Sequence, residues 1–281
     1  MKPHIVHVPL QDFQVVENLV MQQLIPGVVL QLRAEPPPVI DYELLGYDER
    51  HALTYRVDYW LEIREPRTDN VAAASIANMW IFSLWLTRPT STSIHNRFEK
   101  FDDSESSHAV RLISRAGYNQ FDVDFRAFSA DEILQAASYL EILCEVDASS
   151  RVGFALSLSV ESTWVHRWSP GLMLASAAVE SLLTYSEERR ISTRHADVYA
   201  KVVARAGDRD TARNRFQKAY RRRSKLVHGR LPSATDYERL QDLAEWSRIL
   251  RELWREILTR PSLLSALQGD DVARQAYFNT L

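Results

Sequence analysis

Arg221-Arg222-Arg223-Ser224-Lys225-Leu226-Val227-His228-Gly229 closes the most basic segment of this 281-residue chain. Four cations (Arg221, Arg222, Arg223, Lys225) stand within five residues, and like charges so close repel one another unless anions offset them. Histidine follows, the side chain whose ordinary pKa lies nearest neutrality. Gly229 offers a left-handed cap and Pro232 lies just beyond, so the stretch ends a helix that opens near Thr211. A permanent cation fork beside a proton carrier suits phosphodiester chemistry. A solvated helix end paired with acidic neighbours is the plainer reading, and charge alone favours neither.

Within that helix one arginine is out of place. On a wheel of about 100° per residue, Phe216, Tyr220, Arg223 and Val227 fall within about 60° of each other. Arg223 thus interrupts an apolar stripe, while Arg222 and Lys225 point elsewhere. A guanidinium facing a core or an interface is costly unless paired. Glu180, in the otherwise apolar run from Leu172 to Leu183, is the obvious internal partner; a ligand phosphate is the alternative.

Outward from this stretch, everything beyond residue 150 reads as helix. Arg151 to Trp168 and Gly171 to Tyr185 are candidates separated by Ser169-Pro170. Thr193 to Ala206 follows, stopped by Gly207. Thr235-Asp236-Tyr237-Glu238 is a capping box, and it opens a helix whose Leu240, Leu243, Leu250, Trp254 and Ile257 keep one apolar face.

The N-terminal part is less regular. Val28 to Leu32 and Tyr55 to Ile63 are β-branched or aromatic with partial alternation and read as strands, joined through the extended Pro36-Pro37-Pro38. Val71 to Leu86 reads as a buried helix closed by Thr87-Arg88-Pro89. Phe101 to Ser107 is a polar loop and Phe121 to Phe125 a short strand. A second capping box, Ser129-Ala130-Asp131-Glu132, starts a helix running to about Val146. The expected architecture is mainly α: a mixed α/β N-terminal domain over residues 1–150, then an antiparallel helical bundle over residues 151–281.

Composition narrows the function classes. The chain carries 34 Lys/Arg against 37 Asp/Glu, yet 14 of those cations and only 3 of the acids lie between Arg189 and Arg230. Such segregation marks one basic surface on an acidic protein, the footprint of a polyanion site. A single cysteine, Cys144, forms no internal disulfide and has apolar neighbours, which points to a packing thiol and a reducing cytoplasm. Met1 to Leu10 has no apolar core of a signal peptide, and Val71 to Leu86 is too short and too polar to span a membrane.

No Gly-rich run precedes a Lys-Ser/Thr pair and no zinc-ligand spacing occurs, so neither a nucleotide cofactor nor a metal is expected. His4 and His7 fall at a terminus expected to be mobile. Glu99, Asp102, Asp103 and Glu105 read as a solvated loop. His51, His95, His108, His166 and His195 are scattered, each a surface or a satisfied core histidine. Trp80, Trp85, Trp164 and Trp168 lie at helical spacings and read as core.

Arg223-Ser224-Lys225-Leu226-Val227-His228-Gly229 resembles the Arg-x(4–6)-His signature of HEPN domains, in particular the Apea-like group. Leu172 to Leu183, ending in Val179-Glu180-Ser181-Leu182-Leu183, is similar to that family's first-helix pattern, and the likeness covers roughly residues 151–260. The resemblance implies a bundle of four or five helices in a homodimer, with RNA as partner, and often a metal-independent endoribonuclease without cofactor. By the same resemblance, Arg223 would bind the scissile phosphate and His228 would move protons at the ribose 2′-hydroxyl and leaving oxygen. Ser224, Arg221, Arg222, Lys225 and Glu180 would support RNA binding.

The product would be a 2′,3′-cyclic phosphate, and the setting antiphage defence or a toxin-like response. A non-catalytic nucleic-acid-binding or oligomerisation module is the alternative, and Ser224 departs from the Asn, Asp or His that many catalytic members carry. Arg221 or Arg222 would also satisfy a six- or five-residue spacing. On a regular helix His228 lies about 140° around from Arg223. The two therefore meet only if the helix unwinds before Gly229 or a second protomer completes the site.

Overall fold

The computed structural model describes residues 5–16, 19–32, 45–68, 70–101, 108–116, 124, 126–165, 167–185, 191–204, 208–229 and 235–281. The chain divides into two compact units, Met1–Glu145 and Val146–Leu281.

In the first unit the elements run β1 (Ile5–Gln11), β2 (Met21–Ile25), β3 (Val28–Leu32), α1 (Tyr47–Tyr55), β4 (Val57–Arg64), α2 (Asn70–Thr87), β5 (Ile94–Lys100), β6 (His108–Ala116) and α3 (Ala130–Cys144). The strands form one sheet in the order β2-β3-β4-β1-β5-β6, with antiparallel pairing throughout. Alternation explains the register: Val6, Val8 and Leu10 of β1 face Ile63, Leu61 and Tyr59 of β4, and all six are buried. Gly27 turns β2 into β3 at φ +79°, a conformation that favours glycine. Helix α2 is largely apolar, with Trp80, Ile81, Phe82 and Leu84 fully buried, and it packs against α3. Ser129 and Glu132 form the expected reciprocal cap of α3.

Several expectations for this unit need correction. His7 belongs to β1, a central strand, and not to a mobile terminus. Pro9 masks that strand in the sequence. It falls where the β1–β5 pairing lapses between His7 and the Gln11–Ser93 contact, so its missing N–H is tolerated. Tyr55 ends α1 instead of opening β4. Glu99 is not solvated: it lies in β5, 1% exposed, with Arg97 Nε 2.8 Å from its carboxylate. Cys144 is half-buried, and burial pushes its thiol pKa up, against the pull of Arg67. Apart from Asp124, the expected strand at Phe121–Phe125 lies outside the described residues, as do the connector Pro36–Pro38 and His4, Asp102, Asp103, Glu105, His166 and Gly207.

The second unit contains α4 (Arg151–Trp164), α5 (Trp168–Leu183), α6 (Ile191–Val203), α7 (Arg209–Val227), α8 (Asp236–Thr259), α9 (Pro261–Gln268) and α10 (Asp271–Thr280). Ser169 and Pro170 do not separate two helices. They occupy the first turn of α5, where a missing proline N–H leaves no intrahelical bond unmade. Close approach fixes the start of α4: a side chain at Gly153 would sit 2.2 Å from the Asp147 carbonyl.

Helix α8 is the hub, touching α5, α6, α7 and α9. Its reciprocal cap, Thr235 with Glu238, forms as the sequence predicts, and Leu243, Trp246, Leu250, Trp254 and Ile257 are buried. Trp254 Nε1 donates to Ser159 Oγ at 2.8 Å, tying α8 to α4. Phe216 of α7 is fully buried against Tyr199 and Trp246, which seats α7 between α6 and α8.

No helix among the described residues is long and apolar enough to cross a membrane.

Candidate nucleic-acid interface

Helix α7 carries the basic run, and its faces do different work. Ala212, Phe216 and Ala219 are buried and define the inward stripe. Arg223 extends that stripe by one turn, 18% exposed, and reaches α5. Its Nη2 lies 3.5 Å from Glu180 Oε1 and its Nε donates to Ser176 Oγ at 3.3 Å. Ser176 Oγ in turn donates to the Met173 carbonyl, so the hydroxyl is used twice. Tyr220, one turn earlier, brings its hydroxyl close to the same Glu180 carboxylate. Burial raises the Glu180 pKa, and the Arg223 cation and the Tyr220 hydroxyl pull it back only in part. Burial and the adjoining carboxylate raise Tyr220 as well. The internal-carboxylate partner for Arg223 is therefore present.

Other arginines of α7 are also neutralised. Arg213 pairs with Asp197 at 2.5 Å and with Asp210. Arg215 lies between Glu245 at 3.3 Å and Glu252, with Tyr199 Oη donating to Glu252 at 2.5 Å. Desolvation and Glu252 push the Tyr199 hydroxyl pKa far up. Arg222 pairs with Asp242 of α8. The plainer reading of the basic helix thus accounts for Arg213, Arg215, Arg222 and Arg223.

Of the other cations, Lys218 is exposed on the side toward α8 with no ion pair among the described residues, and Arg221 and Lys225 are on the side toward α6. Arg221 and Lys225 are both exposed, and neither has a carboxylate partner among the described residues. Arg221 makes one long hydrogen bond, 3.4 Å, to the Gln217 side chain. These two cations line a groove of about 370 Å³ between α6 and α7, together with Ser192, Thr193, Tyr220 and Ser224.

His228 is the C-cap of α7 and is exposed. The helix does not unwind before it: the His228 N–H still bonds to the Ser224 carbonyl at 3.1 Å. Gly229 then turns at φ +65° and ends the helix. Arg223 and His228 consequently stay about 140° apart on the helix surface. The site residues read from the sequence fall into four groups: Glu180 with Arg223, Arg222 with α8, Arg221, Ser224 and Lys225 on the open groove, and His228 alone at the helix end.

Sequence reading gave Ser176 no role, placed Tyr220 only on the apolar stripe and read His195 only as a surface or satisfied core histidine. Ser176 lies one turn before Glu180 on α5 and Tyr220 lies three residues before Arg223, so helical spacing alone could have found both. His195 of α6 is 3% exposed, with Nε2 3.0 Å from Thr184 Oγ1. Thr184 spends its only hydroxyl hydrogen on the Glu180 carbonyl, so His195 Nε2 must carry the proton. Its Nδ1 is buried without a hydrogen-bond partner among the described residues. Burial, with Arg194 beside it, lowers the imidazole pKa to about 4. His195 is a neutral core histidine that links α6 to the helix carrying Glu180.

No group of His, Cys, Asp and Glu suited to a metal ion occurs among the described residues. Comparison of the chain with protein-family models, curated proteins and solved structures returned no match.

Proposed function

We propose that the C-terminal unit is an Apea-like HEPN bundle that binds RNA through the open face of α7, with Arg223 serving the fold. One observation carries this reading: Arg223 is held by Glu180 and Ser176, while Arg221 and Lys225 stand exposed in a groove without a carboxylate partner among the described residues. Cations left unneutralised at a surface attract the phosphate backbone and release its counterions, which makes binding strongly salt-dependent. Affinity for a labelled single-stranded RNA, measured by fluorescence anisotropy, should fall steeply as salt rises. Absence of binding in low salt would remove the proposal.

A second reading, a metal-independent endoribonuclease acting as a homodimer, draws support from the exposed position of His228. Because α7 is regular, Arg223 and His228 of one chain do not converge, and that pair would need the opposite residue from a second copy. The chemistry is a transesterification. The ribose 2′-oxygen bonds to phosphorus, the P–O5′ bond breaks, the 2′-hydroxyl proton passes to a base, and the leaving 5′-oxygen gains a proton. A 2′,3′-cyclic phosphate and a 5′-hydroxyl result. Cleavage in the presence of chelator, lost in a folded His228→Ala variant, would establish this reading. Intact RNA at high concentration of a confirmed dimer would remove it.

A further inference from the structure

His228 shares a face of α7 with Arg221 and not with Arg223. Residues 221 and 228 are seven apart, which places them about 20° apart in azimuth and about 10 Å apart along the axis. The hydrogen bond from His228 N–H to the Ser224 carbonyl keeps His228 on the helical path. Gln217, Arg221, Ser224, Lys225 and His228 therefore recur at steps of three and four along one stripe. The first four line the groove facing α6.

Across that groove α6 presents Ser192 and Thr193. Among the described residues, no carboxylate lines it. The groove on the other side of α7, toward α8, is built differently. There Arg215 pairs with Glu245 and Arg222 with Asp242, and the lining holds three cations (with Lys218) against three carboxylates (with Glu238). A polyanion gains from the first groove and little from the second.

We propose that the α6–α7 groove of a single chain binds a phosphodiester of single-stranded RNA. Arg221 and Lys225 are its cations, Ser192, Thr193 and Ser224 its neutral donors, and His228 stands at the end of the same track. This rests on the RNA-binding reading above. A groove of about 370 Å³ suits one backbone segment, whereas a duplex is recognised by contacts spread over two successive minor grooves. Hydroxyls add directional hydrogen bonds without adding charge, and the two cations set the salt dependence.

The test is the salt dependence of binding to a short labelled single-stranded RNA by the full chain, wild type and R221Q/K225Q. Losing two phosphate contacts should lower the slope of log affinity against log salt by about 1.4 and weaken binding at least about tenfold in low salt. Melting should be unchanged, since both side chains are exposed. K218Q, on the balanced side of α7, should bind as wild type does. A wild-type slope in R221Q/K225Q would overturn the groove while leaving RNA binding by the chain intact. No binding by wild type would overturn both. Equal competition by an unlabelled duplex of the same sequence would overturn the preference for a single strand.

Discussion

Nη2 of Arg223 stands 3.5 Å from Oε1 of Glu180, an oxygen shut off from solvent. The pair joins α7 to α5 one turn beyond the buried stripe of Ala212, Phe216 and Ala219. Around it a short polar chain forms: Ser176 beside Arg223, Tyr220 beside Glu180, and Thr184 linking the Glu180 carbonyl to His195. An arginine that looks like a ligand hook in sequence is thus engaged by its own fold.

Removing either partner should destabilise the C-terminal unit. Breaking a fully buried pair costs several kcal/mol; here the side chains are 18% and 25% exposed, so solvent screening reduces the loss to about 1–3 kcal/mol. Glu180→Ala and Arg223→Ala should each melt earlier than wild type. The double variant should lose less than the sum of the two, because the partners are in contact. Thermal melts of the four proteins check this.

His195 should give the chain an acid-sensitive step. Its folded pKa of about 4 lies below the ordinary histidine value, so between those limits the unfolded chain binds the extra proton. Stability therefore rises with pH across that window and is lost as pH falls through it, by about 3 kcal/mol in all. Glu180 acts in the opposite sense, since its raised pKa makes the native state the better proton binder in the carboxylate range. Denaturant unfolding between pH 4 and about 7 should show the rise in wild type and a flatter profile in His195→Gln.

Ser159→Ala should strand the indole N–H of Trp254, which is buried and donates to that hydroxyl at 2.8 Å. An orphaned buried donor costs about 1–3 kcal/mol, more than the lost hydroxyl alone. The loss should appear as an earlier melt, with RNA affinity at low temperature unchanged, since neither residue lines the α6–α7 groove.

Much of the helical unit was legible because its signals are local. The Thr235–Glu238 cap, the apolar face of α8 and the stop at Gly229 are read from residues within a few turns of each other. Glu180 and Arg223 also declared themselves, each as a charge inside an apolar pattern. The sheet was harder, since β1 gains both its partners, β4 and β5, from distant segments. Pro9 interrupts β1, and β5 buries the charged Arg97 and Glu99 on either side of Phe98, so neither strand reads as one from its sequence pattern. What distinguishes Arg221 from Arg222 was not legible at all. Both are arginines on a basic helix, and only Asp242 on α8 tells them apart.

Under the proposed function, helix α7 divides its labour, with Arg223 holding the fold and Arg221 and Lys225 holding RNA. Measuring melting temperature and RNA affinity side by side for R223A and for R221Q/K225Q tests this division most directly. R223A should have a lower melting temperature, with affinity retained at a temperature where it is folded. R221Q/K225Q should have an unchanged melting temperature, with affinity reduced at least about tenfold. The reverse pattern, R223A as stable as wild type but unable to bind RNA, would contradict the division.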